Sequence, residues 1–558
     1  MKMIGSSFSV FVSTLALLLC PGLNVAAQNQ PLHPVSVEAP VRFDVSPPLR
    51  EMVKHPGPVQ ASEPKEKEEG EGSSSPIRKI SDAVLDPVEQ KIATGSSNFT
   101  VGLNLLGVGY GFPNWSDCAD CFVPDTNLAV GDTQVTEYVN VVYGIFDKAS
   151  GSTILGPVFE NQLWAGFNGV CSTDLSADVI VQFDKAAHRW VFYHAVVEDE
   201  PPYYLCFAVS TSPDATGSFY RYQYTVNDSF PDYGKLGTWT NGYYLTVDRG
   251  GAAAGVNTLN RSKMLIGDPS AELVYFQLFD PDFGLRAADI DSSTPPPANE
   301  DEFLIGGVRW LDGLHLSLYS VHVDWMNPQG ATLTGAGGSQ LIQVAAYTPA
   351  CNGQNGDGHD PCVPQLGTDH LIEVLGDRLM YRLAYFNDQV SAHVGPTALP
   401  VPQQHWLVSH TVTASQGQTG VRWYEFVGPE HAIPVTSIAV AQQGTYAPDT
   451  NWRSYPSIAR DKAGDILVGY MVSGTSSYPS IGMAGRVRTD PAGTLGPEQV
   501  VFASTLPETI SSAWGDYTSM ALDGTDNCTF WYIGQYYTDS NYNNWSTRIL
   551  SAKFPNCH

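Results

Sequence analysis

Aromatic and β-branched residues alternate with polar ones over most of the chain from residue 98 to the C-terminus. Clusters of Gly, Pro, Asn and Asp interrupt this alternation, and no long stretch repeats with the 3.6-residue period of a helix. Many short strands separated by turn residues indicate an all-β sandwich, barrel or propeller. A span of this length without a linker is large for one sandwich and ordinary for a propeller.

A repeated pattern within this region favours the propeller. Each unit has an acidic or aromatic entry, a short apolar strand, a turn containing Gly or Asp, and a second apolar strand. The units number roughly six or seven, as in the blades of a propeller. They lie at residues 124–131, 177–193, 230–247, 303–318, 370–385, 455–470 and 514–532. We therefore predict a single six- or seven-bladed β-propeller over residues 98–558.

The N-terminal part of the chain has a different composition. Residues 1–27 combine a basic start at Lys2, an apolar run and the small residues Val25-Ala26-Ala27, which is typical of a secretory signal peptide. Residues 28–97 are rich in Pro, Glu, Ser and Lys, and this composition predicts a disordered tether. We therefore expect a secreted protein, extracellular or periplasmic.

The cysteine count fits export. Of nine cysteines, Cys20 lies in the predicted signal peptide, and the even set of eight that remains favours disulfides. The short spacings suggest four pairs, although spacing alone does not fix connectivity. They are Cys118–Cys121, Cys171–Cys206, Cys351–Cys362 and Cys528–Cys557.

The net charge of -28 excludes some partners. Nucleic-acid binding needs clustered Lys and Arg, and anionic membrane surfaces also attract cations. No apolar run after the signal peptide approaches the length of a membrane span. We expect a soluble monomer that binds neither nucleic acid nor membranes.

Three segments carry a resemblance to known proteins: residues 514–520 with 527–532, residues 232–237, and residues 378–385. The chain resembles a family of secreted bacterial sialidase-like β-propeller proteins over most of its length after the tether. The resemblance implies a propeller fold and export, and it implies no particular reaction. The ordered arginine triad with a Tyr/Glu pair that defines a sialidase site is not found, so the sequence does not predict a sialidase.

The residues at which the innermost strands begin carry the candidate chemistry. The aligned repeats place four aspartates at equivalent entry positions around one mouth of the channel: Asp125, Asp178, Asp232 and Asp516. Glycoside cleavage requires two carboxyl groups, one to protonate the leaving oxygen and one to activate water or attack the sugar. Aspartates at strand turns also bind backbone amides, so a structural role is the alternative for each. Candidate substrate-binding residues are Tyr233, Tyr517, Tyr455, Arg453 and Trp514.

A loop between Cys351 and Cys362 is the one local candidate for a metal. Asn355, Asp357 and Asp360 have oxygen donors at spacings that suit calcium, although a plain solvated loop is the alternative. No cofactor is required by the pattern. The first functional hypothesis is a glycoside hydrolase, with Asp232 and Asp516 as the preferred carboxylates. A non-catalytic glycan- or protein-binding propeller and a polysaccharide lyase remain open as alternatives.

Overall fold

The computed structural model describes the chain in fifteen stretches, and the fold below refers to these alone. They are residues 30–54, 85–95, 98–115, 123–173, 178–196, 201–226, 229–249, 253–279, 281–308, 313–351, 360–388, 403–429, 437–509, 512–539 and 545–558. The predicted signal peptide and the pair Cys118–Cys121 lie outside the described residues.

Thirty-four strands and three short α-helices form the described chain, and the first part contains four strands and a helix. These are β1 (Ser36–Glu38), β2 (Arg42–Val45), α1 (Leu49–Met52), β3 (Glu89–Gln90) and β4 (Thr100–Gly109). The next seventeen strands build the first four sheets of the ring. They are β5 (Asn127–Val130), β6 (Gln134–Val139), β7 (Val142–Asp147), β8 (Thr153–Phe159), β9 (Ile180–Asp184), β10 (Arg189–Val196), β11 (Tyr203–Ser210), β12 (Phe219–Val226), β13 (Pro231–Thr238), β14 (Tyr243–Arg249), β15 (Ala254–Leu259), β16 (Leu273–Gln277), β17 (Arg286–Ile290), β18 (Glu302–Gly306), β19 (His315–His322), β20 (Thr332–Thr334) and β21 (Leu341–Gln343).

Thirteen more strands complete the ring. They are β22 (Val363–Gln365), β23 (Thr368–Ile372), β24 (Leu383–Asp388), β25 (Gln403–Thr413), β26 (Thr419–Pro429), β27 (Ala439–Tyr446), β28 (Trp452–Arg460), β29 (Ile466–Gly474), β30 (Ser477–Arg486), β31 (Gln499–Phe502), β32 (Ser519–Leu522), β33 (Thr529–Tyr537) and β34 (Trp545–Lys553). The other helices are one turn long: α2 (Glu160–Leu163), α3 (Arg261–Met264), and 3-10 turns at Val170–Ser172, Pro328–Gly330 and Ala336–Gly338. None of these described helices has the length and apolar composition that a membrane crossing requires.

The strands form a β-propeller, and its described part has seven blades. Blade 1 is β5–β8, blade 2 is β9–β12, blade 3 is β13–β16, and blade 4 is β17–β21. Blade 5 is β24–β27, blade 6 is β28–β31, and blade 7 joins β32–β34 to β4; β22 and β23 form a separate hairpin. The innermost strands β5, β9, β13, β17, β24, β28 and β32 neighbour one another in this order around the axis. The fold class predicted from the repeats is confirmed.

Most blade strands are buried on both faces, because each blade packs against the next. All nine residues of β29 are buried, as are all five of β9. A strand in this position needs a nearly continuous apolar run, so the alternation of hydrophobic and polar residues is weaker there than in a sheet with one solvated face.

The ring closes by pairing strands from the two ends of the chain. β4 runs antiparallel to β34 and completes blade 7. A buried carboxyl, Glu137 on β6, supports the junction: it accepts a hydrogen bond from the Val108 amide and lies 3.1 Å from Thr547 Oγ1. Thr547 donates its proton to the Val108 carbonyl at 2.7 Å, so a protonated Glu137 satisfies every group present. Burial raises the pKa of Glu137 to about 8.

Three of the four predicted disulfides are present, namely Cys171–Cys206, Cys351–Cys362 and Cys528–Cys557. The last of them ties the start of β33 to the C-terminus beside the closing strands. A disulfide at this point reinforces the closure of the ring.

Parts of the predicted tether pair with the propeller. β1 adds to the outer strand of blade 3, β2 to that of blade 2, and β3 to that of blade 5. The outer strand of a blade has an open hydrogen-bonding edge, which accepts an extended segment whatever its hydrophobic periodicity. The composition of residues 28–97 therefore does not predict this pairing. Residues 55–84 lie outside the described residues.

Candidate functional site at the entry mouth of the channel

In five blades a residue at the start of the innermost strand has a left-handed backbone. Three of these residues lie two positions before the strand pairing starts, with φ values of 41° at Asp125, 58° at Asp178 and 59° at Gly284. The other two lie inside β13 and β28, two positions before the pairing resumes after a break in register, with φ values of 51° at Tyr233 and 53° at Tyr455. Residues other than Gly rarely adopt this conformation, so its recurrence in five blades indicates that the blade architecture requires it there. We call the end of the channel where these turns lie the entry mouth.

This turn corrects the alignment of the repeats. Asp125 and Asp178 are equivalent to Tyr233 and Tyr455, and not to Asp232, which lies one position earlier. The reason is an irregularity in β13, where the pairing with β14 is shifted between Asp232 and Lys235. A bulge of this kind leaves no mark in the hydrophobic pattern.

Three carboxylates from three blades meet at the entry mouth. Asp125, Asp178 and Asp516 each present an oxygen, and these atoms all lie within 4.8 Å of one another. Asp125 is held by the Asp516 amide at 2.6 Å and by Asn140 Nδ2 at 2.7 Å. Asp178 accepts a hydrogen bond from the Tyr233 amide at 3.1 Å. We call these residues the carboxylate triad. Asp125 and Asp178 thus bind backbone amides and still belong to a common site with Asp516.

A buried lysine neutralises part of this charge. Lys235 Nζ lies 3.3 Å from Asp178 Oδ1, 3.5 Å from the centroid of the Tyr233 ring and 3.9 Å from that of Tyr517. The ammonium thus sits between two aromatic faces and a carboxylate, a strong arrangement for a desolvated cation. Burial lowers the pKa of Lys235, and Asp178 opposes this shift.

The triad is electrostatically uneven. Burial and then the charges of Asp125 and Asp178 raise the pKa of Asp516 well above its ordinary value, against the opposing effects of Arg378 and Lys235. Asp125 is fully buried, whereas Asp178 and Asp516 are partly exposed and face the mouth. Asp516 is therefore the carboxyl best suited to hold a proton, whereas Asp178 is the one paired with the Lys235 ammonium.

Aromatic residues wall the same site. The rings of Tyr233 and Tyr381 both pack edge-on against Tyr517 at 5.9 Å. The Tyr233 hydroxyl donates to the Asp516 carbonyl at 3.2 Å, and the Tyr455 hydroxyl donates to the Glu373 carbonyl at 2.9 Å. The buried hydroxyl of Tyr517 has no hydrogen-bond partner among the described residues.

Two buried arginines lie behind the Tyr233 ring. The guanidinium carbon of Arg378 is 4.4 Å from the ring centroid and that of Arg286 is 4.9 Å from it. Arg378 is bound to Asp377 at 2.8 Å and lies 3.6 Å from Asp248. Both side chains are buried, so they support the ring and do not line the mouth.

Sequence reasoning did not single out Lys235 and Arg286. The one signal available for Lys235 was its place in the segment Asp232–Gly237, which carried the family resemblance. The position of a single lysine directly after a Gly-containing turn does not reveal that its ammonium will be buried against Asp178 and the rings of Tyr233 and Tyr517.

The other predicted residues lie outside the triad. Asp232 Oδ1 accepts a hydrogen bond from the neighbouring Tyr233 amide at 2.8 Å. Arg453 is buried in ion pairs with Asp449 at 2.9 Å and Glu498 at 2.8 Å. Trp514 is buried, with its ring 5.2 Å from that of Tyr537.

The predicted calcium loop can be followed only in part. Asn355 and Asp357 lie outside the described residues. Asp360 is described, and its Oδ2 atom is buried without a hydrogen-bond partner in the described part of the chain. Cys171, His194 and Cys206 also lie close together, but the two sulfurs form a disulfide and are not available as ligands.

Comparisons with known proteins identify no relative from which a property can be transferred to this chain. No family model matches the chain, and no curated protein does. Among solved structures, the α-L-arabinofuranosidase Arb93A from Fusarium graminearum is 8% identical, with a TM-score of 0.33 over 85% of this chain and 99% of that one. The WD40 domain of SCAP from fission yeast is 9% identical, with a TM-score of 0.32 over 85% and 98%. The α-L-arabinofuranosidase PaAbf62A from Podospora anserina is 10% identical, with a TM-score of 0.26 over 84% and 99%. These values carry no argument about the chemistry of the site.

Proposed function

We propose that the protein is an exported glycoside hydrolase whose reaction takes place at the carboxylate triad. The observation that carries this proposal is the meeting of two partly exposed carboxyl groups, Asp516 and Asp178, in different electrostatic surroundings at one mouth of the channel. Glycoside cleavage needs one proton donor and one ionised carboxylate, and these surroundings separate the two roles. The disulfides are consistent with an oxidising compartment.

The spacing of the triad favours cleavage with retention of the anomeric configuration. Retaining enzymes hold their two carboxyl groups about 5–5.5 Å apart, whereas inverting enzymes leave roughly 6.5–9.5 Å for a water molecule. One oxygen of Asp516 and one oxygen of Asp178 lie within 4.8 Å of each other, which is closer than the gap that an inverting enzyme leaves for water.

In the proposed reaction, Asp516 donates its proton to the glycosidic oxygen as the bond to the anomeric carbon breaks. Asp178 attacks that carbon and forms a glycosyl ester. Water then displaces Asp178 from the sugar, and its proton returns to Asp516, so that one glycosidic bond is hydrolysed in each cycle. Lys235 stabilises Asp178 as the departing carboxylate, and Asp125 holds the Asp516 backbone in place.

A glycan-binding propeller without turnover is the second candidate. The buried, unpartnered hydroxyl of Tyr517 supports it, because a bound sugar hydroxyl would satisfy this group without any reaction. The lyase hypothesis has less support. A lyase must neutralise a uronate carboxylate, and Arg453, the arginine among the predicted substrate-binding residues, is buried in ion pairs, as is Arg378 behind the Tyr233 ring.

The test is saccharide release by the mature protein from a panel of plant, microbial and animal glycans. We expect Asp516→Asn and Asp178→Asn to reduce release by about 100-fold or more, because each removes one half of the acid–nucleophile pair. Asp232→Asn is the matched control. The Asp232 carboxylate lies on the same face of the propeller but accepts from the neighbouring Tyr233 amide, so we expect this variant to retain activity.

Urea unfolding of each variant establishes that the loss is chemical and not structural. Release that depends on Asp232 and not on Asp178 contradicts the assignment of roles. If every glycan in the panel stays uncleaved, the enzymatic proposal is contradicted. A glycan array then tests binding alone.

A further inference from the structure

A polar cavity lies between blades 5 and 6, on the face of the propeller opposite the entry mouth. Its volume is about 240 Å³, and the innermost strands β24 and β28 end beside it at Asp388 and Arg460. His405, Glu425, Arg486 and Arg488 also line it. The proposed reaction uses none of these residues.

The acidic side chains of this cavity are already occupied. Glu425 accepts hydrogen bonds from His405 Nδ1 at 2.8 Å and from Gln442 Nε2 at 2.6 Å, and it lies 3.3 Å from Arg460 Nε. Asp388 accepts from Arg460 Nη2 at 2.7 Å, and Asp490, the third acid in the lining, accepts from the Val487 amide at 3.0 Å. These contacts hold the pKa of Glu425 at about 2, although burial alone would raise it. Few acceptor positions therefore remain for a cation.

The cationic side chains, in contrast, have unused donors. Arg460 and Arg486 are 4% and 3% exposed, yet Arg460 Nη1 and Arg486 Nε have no hydrogen-bond partner among the described residues. Buried N–H groups of a guanidinium are costly to leave unpaired. The surplus of donors indicates that the cavity receives an acceptor from outside the chain.

A third arginine stands at the opening. Arg488 is exposed and makes no ion pair with the described residues, in a chain that has 57 acidic residues against 29 basic ones. Its stem passes over Gly464, where a β-carbon would lie 3.0 Å from Arg488 Cδ and 3.2 Å from Arg460 Nη2. Gly464 has a φ of 85°, so the turn both requires glycine and lets the two arginines approach each other.

We propose that this cavity binds a small oxyanion group, a carboxylate, sulfate or phosphate, through Arg460, Arg486 and Arg488. Planar guanidinium groups match the geometry of such anions and bind them through paired hydrogen bonds. The site is independent of the carboxylate triad and would give the propeller a second ligand at its other face.

The experiment is calorimetric titration of the full-length mature protein with sodium sulfate, sodium phosphate and galacturonate, each at constant ionic strength set with chloride. We expect at least one of the three to bind more tightly than chloride. Tighter binding of sulfate or phosphate indicates an inorganic anion as the ligand, and tighter binding of galacturonate indicates the carboxylate of an acidic sugar. Arg488→Gln, which removes an exposed head group and leaves the fold intact, is expected to weaken this binding on the order of tenfold.

Lys462→Gln is the matched control, because Lys462 is an exposed cation in the turn that contains Gly464 and makes no ion pair with the described residues. Asp516→Asn is expected to bind the anion as the wild type does, which separates this proposal from the proposed hydrolase. Binding no tighter than that of chloride overturns the proposal. Equal weakening by Arg488→Gln and Lys462→Gln also overturns it, since that result indicates general charge attraction.

Discussion

The Lys235→Met substitution tests the electrostatics of the carboxylate triad most directly. It keeps the length of the side chain and removes the one ammonium that lies 3.3 Å from Asp178. At an effective dielectric constant of about 20, a charge pair at this distance contributes roughly 5 kcal/mol. The contacts with the Tyr233 and Tyr517 rings add to this, while desolvation of the ammonium subtracts from it. Breaking a buried pair from one side commonly costs about 3–5 kcal/mol, and we expect a loss of that size at pH 8.

The loss should shrink as the pH falls. Lys235 opposes the upward shift of the Asp516 pKa, so removing it raises that pKa further above the value of an unfolded aspartate. A carboxyl with a raised folded-state pKa binds protons more readily in the folded protein, and acidification then stabilises the fold. The variant has the larger shift and gains more, so its deficit at pH 5 should be smaller than its deficit at pH 8.

Urea unfolding followed by tryptophan fluorescence at both pH values measures the two quantities. Lys185→Met is the control, because the partly buried Lys185 also pairs with an aspartate, at 3.2 Å from Asp291. Arg382 remains bound to that aspartate at 3.0 Å, so we expect a smaller loss of about 1–2 kcal/mol. A loss below about 1 kcal/mol for Lys235→Met, or one that is equal at both pH values, refutes the reasoning.

Three further predictions concern closure of the ring and the site. Between pH 4.5 and 8, the free energy of unfolding of Glu137→Gln should rise relative to that of the wild type by about 1.4 kcal/mol per pH unit. The reason is that burial raises the pKa of Glu137 to about 8, so the wild type loses stability as the pH rises through this window. A pH-independent difference in urea unfolding would argue against it. Cys528→Ser with Cys557→Ser should cost roughly 3–4 kcal/mol for a sequence separation of 29, and unchanged unfolding would contradict this. Tyr517→Phe should leave stability within about 1 kcal/mol and weaken glycan binding, whereas normal binding would remove Tyr517 from the site.

The sequence by itself determined the class of fold. Repeated strand–turn–strand units with turn residues between them predict a propeller of six or seven blades, and the spacing of the cysteines suggested the three pairs that the structure contains. These features are local, because each depends on residues that are near one another in the chain. The sequence did not predict the pairing of β1, β2 and β3 with distant blades. An open strand edge binds an added strand through backbone hydrogen bonds, which leave no pattern in the side chains.

Only the tertiary structure decided which entry residues act together. The sequence proposed Asp125, Asp178, Asp232 and Asp516 as equivalents, while the structure joins three of them with Lys235 and turns Asp232 to its own backbone. The separation of Asp125 from Asp516 along the chain is nearly four hundred residues, yet the amide of one holds the carboxylate of the other. A site of this kind arises from the closure of the ring and from a one-residue bulge in β13, and neither is recorded in local composition or periodicity.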